Sequence, residues 1–130
     1  MSATVTRNHA PRKVMVVDDE PSIRDLIVAV LEDEGYAVVA ATNGRRALEL
    51  MPSERPDLVI MDIMMPEMDG REAYRRLRDL PDLAHTPVVM MSAAVAPDRL
   101  TPRVAAFLAK PFDLDLLLTT VARVLASGGA

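Results

Sequence analysis

Four short apolar runs in this chain end on side chains that can do chemistry. Val14 to Val17 is followed by Asp18 and Asp19, Leu58 to Met61 by Asp62, Pro87 to Met91 by Ser92, and Ala105 to Ala109 by Lys110. Taken singly each has an ordinary explanation: an acid caps the next turn, a serine sits in a bend, a lysine is solvated. Gathered at one edge, they mean something different. Three carboxylates within a few ångströms repel one another strongly unless a cation lies among them or their pKa values rise. Oxygen-only donors at an open, partly hydrated site favour Mg²⁺ or Mn²⁺ over Zn²⁺. A hydroxyl and an ammonium beside such a metal form a cradle for the non-bridging oxygens of a phosphoryl group. Transfer of that group needs little beyond positioning and charge stabilisation. Asp62, the central acid, could then serve as nucleophile and become an aspartyl phosphate.

Whether these residues meet depends on the elements that carry them. Pro21 and Ser22 open a helix in which Ile23, Leu26, Ile27, Val30 and Leu31 recur at helical spacing until Gly35. Tyr36 to Ala41 reads as a second strand, and Ala47, Leu48 and Met51 as one face of a helix ended by Pro52. Asp69 and Gly70 lead into a helix whose apolar face is Ala73, Tyr74, Leu77 and Leu80. A last helix from about Asp113 to Leu125 turns Leu114, Leu117, Leu118, Val121 and Leu125 inward. Strands alternating with helices in this way predict a parallel α/β sheet covered on both faces. Five strands in this length suit the flavodoxin-like doubly wound order 2-1-3-4-5. In that order strands one, three, four and five are neighbours, and Asp18, Asp19, Asp62, Ser92 and Lys110 share one crevice. Pro97 and Pro102 leave room for only a short or irregular fourth helix between Ser92 and Ala105.

Composition removes several alternatives. The 130 residues are half hydrophobic, enough for one domain with a real core. Cysteine is absent, which excludes disulfide and thiol chemistry and makes a cytoplasmic location the natural expectation. The net charge of −4 comes with both signs interleaved, so no basic stripe speaks for nucleic acid. Two Tyr and two Phe offer no stacking platform for bases. No window reaches the roughly 18 apolar residues of a membrane helix. Residues 1–12 read as a disordered polar arm, 13–126 as the domain, and 127–130 as a frayed end. His9 and His85 lack partners at ligand spacing and read as surface residues. Arg71, Arg75, Arg76 and Arg78 read as a solvated helix face, and the methionines at 61, 64, 65, 90 and 91 mostly as filler.

The whole of Lys13 to Leu125 resembles the receiver (response regulator) domain of two-component signalling. The resemblance is carried by Val16-Val17-Asp18-Asp19-Glu20, by Met61 to Gly70, by Met91-Ser92-Ala93 and by Lys110-Pro111-Phe112, in order and at family-like spacing. It implies that Asp62 is the phosphoacceptor, and that Asp19 ligates the metal directly while Asp18 does so at least through water. Met64 would add its backbone carbonyl. Ser92 would hydrogen-bond the phosphoryl group, and Lys110 would pair with it or with Asp62. Phe107 stands where the family's switch aromatic rotates, and the peptide bond before Pro111 is typically cis in the family. The implied partner is a sensor histidine kinase or a histidine phosphotransfer protein, with Mg²⁺ or Mn²⁺ as cofactor.

Three functions compete. A phosphorylatable switch uses every residue named above and would be no enzyme beyond assisting its own phosphorylation. A phosphorylation-independent binding module would have no need of the intact set. A true enzyme is disfavoured: no Gly-rich loop follows the first strand, and Met64 stands where an Asp-based phosphatase would want a second carboxylate. Met64 and Ala94 also flank the acceptor with groups unable to orient water, which predicts a long-lived phosphoryl state. With only residues 127–130 after the domain, the expectation is a stand-alone receiver that docks on a protein target or relays phosphate. The interval from Ser92 to Lys110 is about four residues shorter than the family's norm, so a mobile segment that orders on activation is expected there.

Overall fold

The computed structural model describes residues 11–93 and 104–128. Within them the chain runs β1 (Lys13–Val17), α1 (Pro21–Asp33), β2 (Ala37–Ala41), α2 (Gly44–Glu54), β3 (Leu58–Asp62), α3 (Gly70–Arg78), β4 (Val88–Ser92), β5 (Ala106–Ala109) and α4 (Leu114–Gly128). The five strands form one parallel sheet in the order β2-β1-β3-β4-β5. The short or irregular fourth helix expected before β5 falls on residues outside those described, as do Ala94, Pro97, Pro102 and most of the N-terminal arm.

β3 is buried along its whole length, as is β4, because helices cover both faces of the sheet. Alternate side chains therefore feed two cores. Met15, Val17, Val59, Met61, Val88 and Met90 pack under α2 and α3 with Ala47, Met51, Ala73, Tyr74 and Leu77. Val14, Val16, Leu58, Ile60, Val89 and Met91 pack under α1 and α4 with Ile27, Leu31, Leu117, Val121 and Leu125. Each of these large side chains contributes roughly 1.5–3 kcal/mol by leaving water.

The helices depart from the sequence reading in instructive places. Leu26 is half exposed, so α1 rests on Ile27 and Leu31. Pro52 lies inside α2, which continues to Glu54. Proline removes only one bond there, in the last turn. The helix ends instead at Arg55, which takes a left-handed conformation (φ 46°) with its N–H on Met51 O at 2.8 Å. Leu80 follows α3 rather than belonging to it, yet still packs against the core. α4 extends to Gly128, past the last apolar residue of its stripe.

Arg78 is not a solvated charge. Its guanidinium donates to the carbonyls of Ala84 (2.6 Å) and Thr86 (3.1 Å) and lies over the Tyr74 ring at 4.4 Å. It clamps the loop between α3 and β4. Arg76 pairs with Glu72 and Arg71 with Asp69, which leaves them on the helix surface.

Candidate functional site

Four backbone bonds extend the sheet past its strand ends and aim the site residues. Asp18 N–H donates to Ala41 O (3.2 Å), Ile63 N–H to Met91 O (2.9 Å), Lys110 N–H to Ser92 O (2.9 Å), and Gly70 N–H to Ile63 O (2.9 Å). The first three pin the carboxyl ends of β1, β3 and β5 to their neighbours. The fourth ties the start of α3 back to the end of β3.

Asp18, Asp19 and Asp62 each bring a carboxylate oxygen to within 4.8 Å of the others. Asp18 is fully buried and Asp62 nearly so, while Asp19 is exposed at the mouth. Lys110 sits between two of them, its Nζ 3.1 Å from Asp18 Oδ2 and 3.2 Å from Asp62 Oδ2. Asp18 Oδ1 accepts the N–H of Glu20 at 2.9 Å. Ser92 is buried at the same edge, one strand away from Asp62. The Lys110–Pro111 peptide bond is cis.

The electrostatics follow from this crowding. Burial pushes the Asp62 carboxyl above its ordinary 3.8; Asp18 adds to the rise, and Lys110 and the Met64 N–H only partly oppose it. Burial pulls on the Lys110 ammonium in the other direction, but the hydrogen bond and charge of Asp18, with those of Asp62, hold it above its ordinary 10.5. Lys110 is therefore charged at neutral pH. Three carboxylates against one ammonium leave two formal negative charges in a partly buried, oxygen-lined cleft. A hard dication fits that donor set.

The structure adds detail at four of the residues singled out by the sequence. Glu20 occupies the cap position of α1 without a side-chain hydrogen bond to the helix backbone; it accepts the Ser22 hydroxyl instead. Met64 is not filler: the residue is 55% exposed, between buried Ile63 and Met65. Phe107 is partly buried and packs toward the core under α2 and α3. Lys110 engages Asp18 as well as Asp62, a contact that no spacing in the chain discloses.

Gly70 does more than open a helix. A Cβ built on it would lie 2.5 Å from Asp62 O and 3.0 Å from Ile63 Cα, so only glycine lets α3 start this close to the acceptor strand. One signal was available. Glycine in a first helical turn runs against helix propensity, so its use there asks for a packing reason.

Asp69 caps that same helix, with Oδ1 accepting from Arg71 N (3.0 Å) and Glu72 N (3.1 Å). Burial acts to raise its carboxyl, but the N–H groups of Glu72 and Arg71 and the Arg71 guanidinium outweigh it and hold the group below 3.8. A depressed acid stabilises the fold above its unfolded pKa, and that contribution is lost as pH falls through the folded value. Asp69→Ala is expected to cost about 1 kcal/mol at neutral pH by urea denaturation. The gap should hold down to about pH 4 and close only below it. A variant as stable as wild type at neutral pH would show the cap to be idle.

An open parallel sheet with its polar residues clustered beyond the carboxyl ends of the central strands is a doubly wound α/β domain with its site at the strand edge. Residues 14–122 match the response regulator receiver domain family. The chain is 38% identical over 122 residues to the response regulator MprA of Mycolicibacterium vanbaalenii, a match covering 88% of this chain and 51% of that protein. It is 32% identical over 117 residues to protein Rrf1 of Nitratidesulfovibrio vulgaris, covering 90% and 85%. Among solved structures it superposes on the chemotaxis protein CheY4 of Vibrio cholerae with a TM-score of 0.82 and 35% identity, over 88% of this chain and 99% of that one. The chain belongs to the receiver domain family of two-component response regulators, and it spans about half the length of the MprA regulator. Among the described residues no helix is long and apolar enough to cross a membrane.

Proposed function

We propose that this receiver domain is a phosphorylation-dependent switch that accepts a phosphoryl group on Asp62 from a sensor histidine kinase or a histidine phosphotransfer protein. The observation that carries the reading is the meeting of Asp18, Asp19 and Asp62 at the carboxyl edge of the sheet, with the Lys110 ammonium bridging Asp18 and Asp62. A carboxylate oxygen of Asp62 attacks phosphorus as the bond to the donor's nitrogen or oxygen breaks. The Lys110 ammonium, already beside Asp62, neutralises charge on the incoming group. Ser92, held one strand away, supplies a hydroxyl to a phosphoryl oxygen. Phe107, two residues before Ala109 on β5, would follow Ser92 and pass the change to the outer face.

Asp18, Asp19, Asp62 and the Met64 backbone carbonyl would hold Mg²⁺, or Mn²⁺ in its place. Bound there, the ion would neutralise negative charge on the transferring phosphoryl oxygens. The output is protein docking or onward phosphate relay, with no role for direct nucleic-acid contact. A phosphorylation-independent binding module remains the second reading, favoured only by the Lys110 bridge, which stabilises the site without phosphate.

Labelling with a small acyl phosphate in the presence of Mg²⁺ tests the assignment. Wild type is expected to take up one phosphoryl group, and Asp62→Asn or chelation of the metal to abolish uptake. Label that survives the substitution refutes the role of Asp62. Because Met64, whose N–H lies 3.4 Å from Asp62 Oδ1, has no polar side-chain atom to orient water, the label is expected to persist for minutes or longer on purified protein. A half-life of seconds would show that water is positioned by some other group.

A further inference from the structure

Met64 stands apart from the other described methionines. Met15, Met51, Met61, Met90 and Met91 are fully buried, Met65 is 8% exposed and Met68 packs partly against the core, whereas Met64 is 55% exposed. This exposure is imposed by the loop. Ile63 and Met65 point inward on either side, Gly70 N–H holds Ile63 O, and Met68 N–H holds Pro66 O at 2.8 Å. The residue also borders the reacting carboxylate directly, its N–H 3.4 Å from Asp62 Oδ1. An accessible thioether beside an acceptor carboxylate combines susceptibility to oxidation with a place where a new polar atom would matter.

We propose that Met64 is a methionine-oxidation site through which a peroxide shortens the life of the phosphoryl group on Asp62; this rests on Asp62 being the acceptor. The thioether sulfur attacks one peroxide oxygen, the O–O bond breaks, and the second oxygen leaves as water. Sulfur loses two electrons and becomes a sulfoxide, and the peroxide is reduced. The sulfoxide oxygen is a strong hydrogen-bond acceptor where the unoxidised side chain offers only a weak one. It can hold a water against the acyl phosphate, which the thioether cannot. Met15, Met51, Met61, Met90 and Met91 are kept from the oxidant by their full burial in the two cores.

The test uses brief hydrogen peroxide treatment of the whole chain, tandem mass spectrometry, and decay of label introduced by a small acyl phosphate with Mg²⁺. Oxygen is expected on Met64 before any other described methionine, and the label's half-life is expected to fall about tenfold, the scale of positioning one reacting water. In Met64→Leu the half-lives before and after peroxide should be equal to each other. Met64→Gln, which carries a permanent acceptor, should show the short half-life without oxidant. Oxygen arriving first elsewhere overturns the proposal, as does an unchanged half-life with Met64 oxidised or an equal shortening in Met64→Leu. Untreated wild type that takes no label at all refutes the role of Asp62 instead, while the mapping of oxygen remains readable.

Discussion

Lys110→Met is expected to lower the stability of the metal-free domain by about 2–3 kcal/mol at neutral pH, on the order of 10 °C in Tm. The side chain is only 14% exposed and bridges Asp18 and Asp62. Methionine keeps most of the apolar stem but leaves two buried carboxylates facing each other. Removing one partner of a buried pair typically costs about 3–5 kcal/mol because the other charge stays behind. The expected loss is smaller here since Asp62 can take up a proton. Its carboxyl is already raised by burial, and Lys110 is what chiefly opposes that rise.

The pH dependence follows in sign. An acid whose folded pKa lies above its unfolded value binds more protons when folded, so stability falls as pH rises from about 3.8 through the folded value. Without Lys110 that fall should deepen, and the variant should recover toward wild type as the solution is acidified through that window. The contribution of Lys110 itself is a raised cation. It is fully present below 10.5 and is lost only as pH rises through the higher folded value. Mg²⁺ should narrow the difference between the two proteins, since a dication on the same oxygens replaces the missing charge and binds only the folded state. Urea denaturation with chelator and with Mg²⁺ measures both effects. A Lys110→Met protein as stable as wild type in chelator would mean that the bridge contributes nothing to the resting fold.

Gly70→Ala sets two effects of opposite sign against each other. Alanine is the better helix former by about 1 kcal/mol, so propensity alone predicts a more stable protein. Against that, the added Cβ would stand 2.5 Å from Asp62 O, 3.0 Å from Ile63 Cα and 3.2 Å from Asp62 C. These are backbone atoms of the acceptor strand and cannot swing aside as a flexible side chain would. Overpacking of this kind costs about 1–3 kcal/mol, and contact with backbone belongs at the upper end. The clash wins, and the net expectation is a loss of about 1–2 kcal/mol.

Relief of the clash also requires α3 to move away from β3 or the end of β3 to shift. Either weakens the Gly70–Ile63 bond and displaces Asp62 relative to Lys110. Phosphodonor labelling should therefore slow together with the loss of stability, by about tenfold, as expected when a reacting group is misplaced by a fraction of an ångström. Stability at or above the wild-type level would show that the helix start has room to adjust and that glycine is there for another reason.

Much of this domain was legible in the residues. Continuous apolar runs alternating with helical stripes allow few topologies, because parallel crossovers are right-handed and strands prefer sequence neighbours. That logic carries Asp18, Asp19, Asp62, Ser92 and Lys110 to one edge without coordinates, since each closes an apolar run or follows it within two residues. Glycine after α1 and the cap at Asp69 were visible for the same local reason. The end of α2 was not, because proline in a final turn removes one bond rather than a helix, and no glycine marks Arg55 as the residue that takes the left-handed conformation.

What only the tertiary structure decided are the relations between residues far apart in the chain. Lys110 reaches Asp18 across 92 positions, and the distance depends on how β5 registers against β4 and β3. The need for glycine at position 70 arises from the approach of a helix start to the strand preceding it, which no propensity records. Met64 and Leu26 look like core residues by type, yet both face outward, because exposure depends on what covers a position and hydrophobicity does not supply the cover. Local order and residue type select the fold and deliver the carboxylates to its edge. The close approaches that give those carboxylates their charges, partners and neighbours exist only once the sheet has assembled.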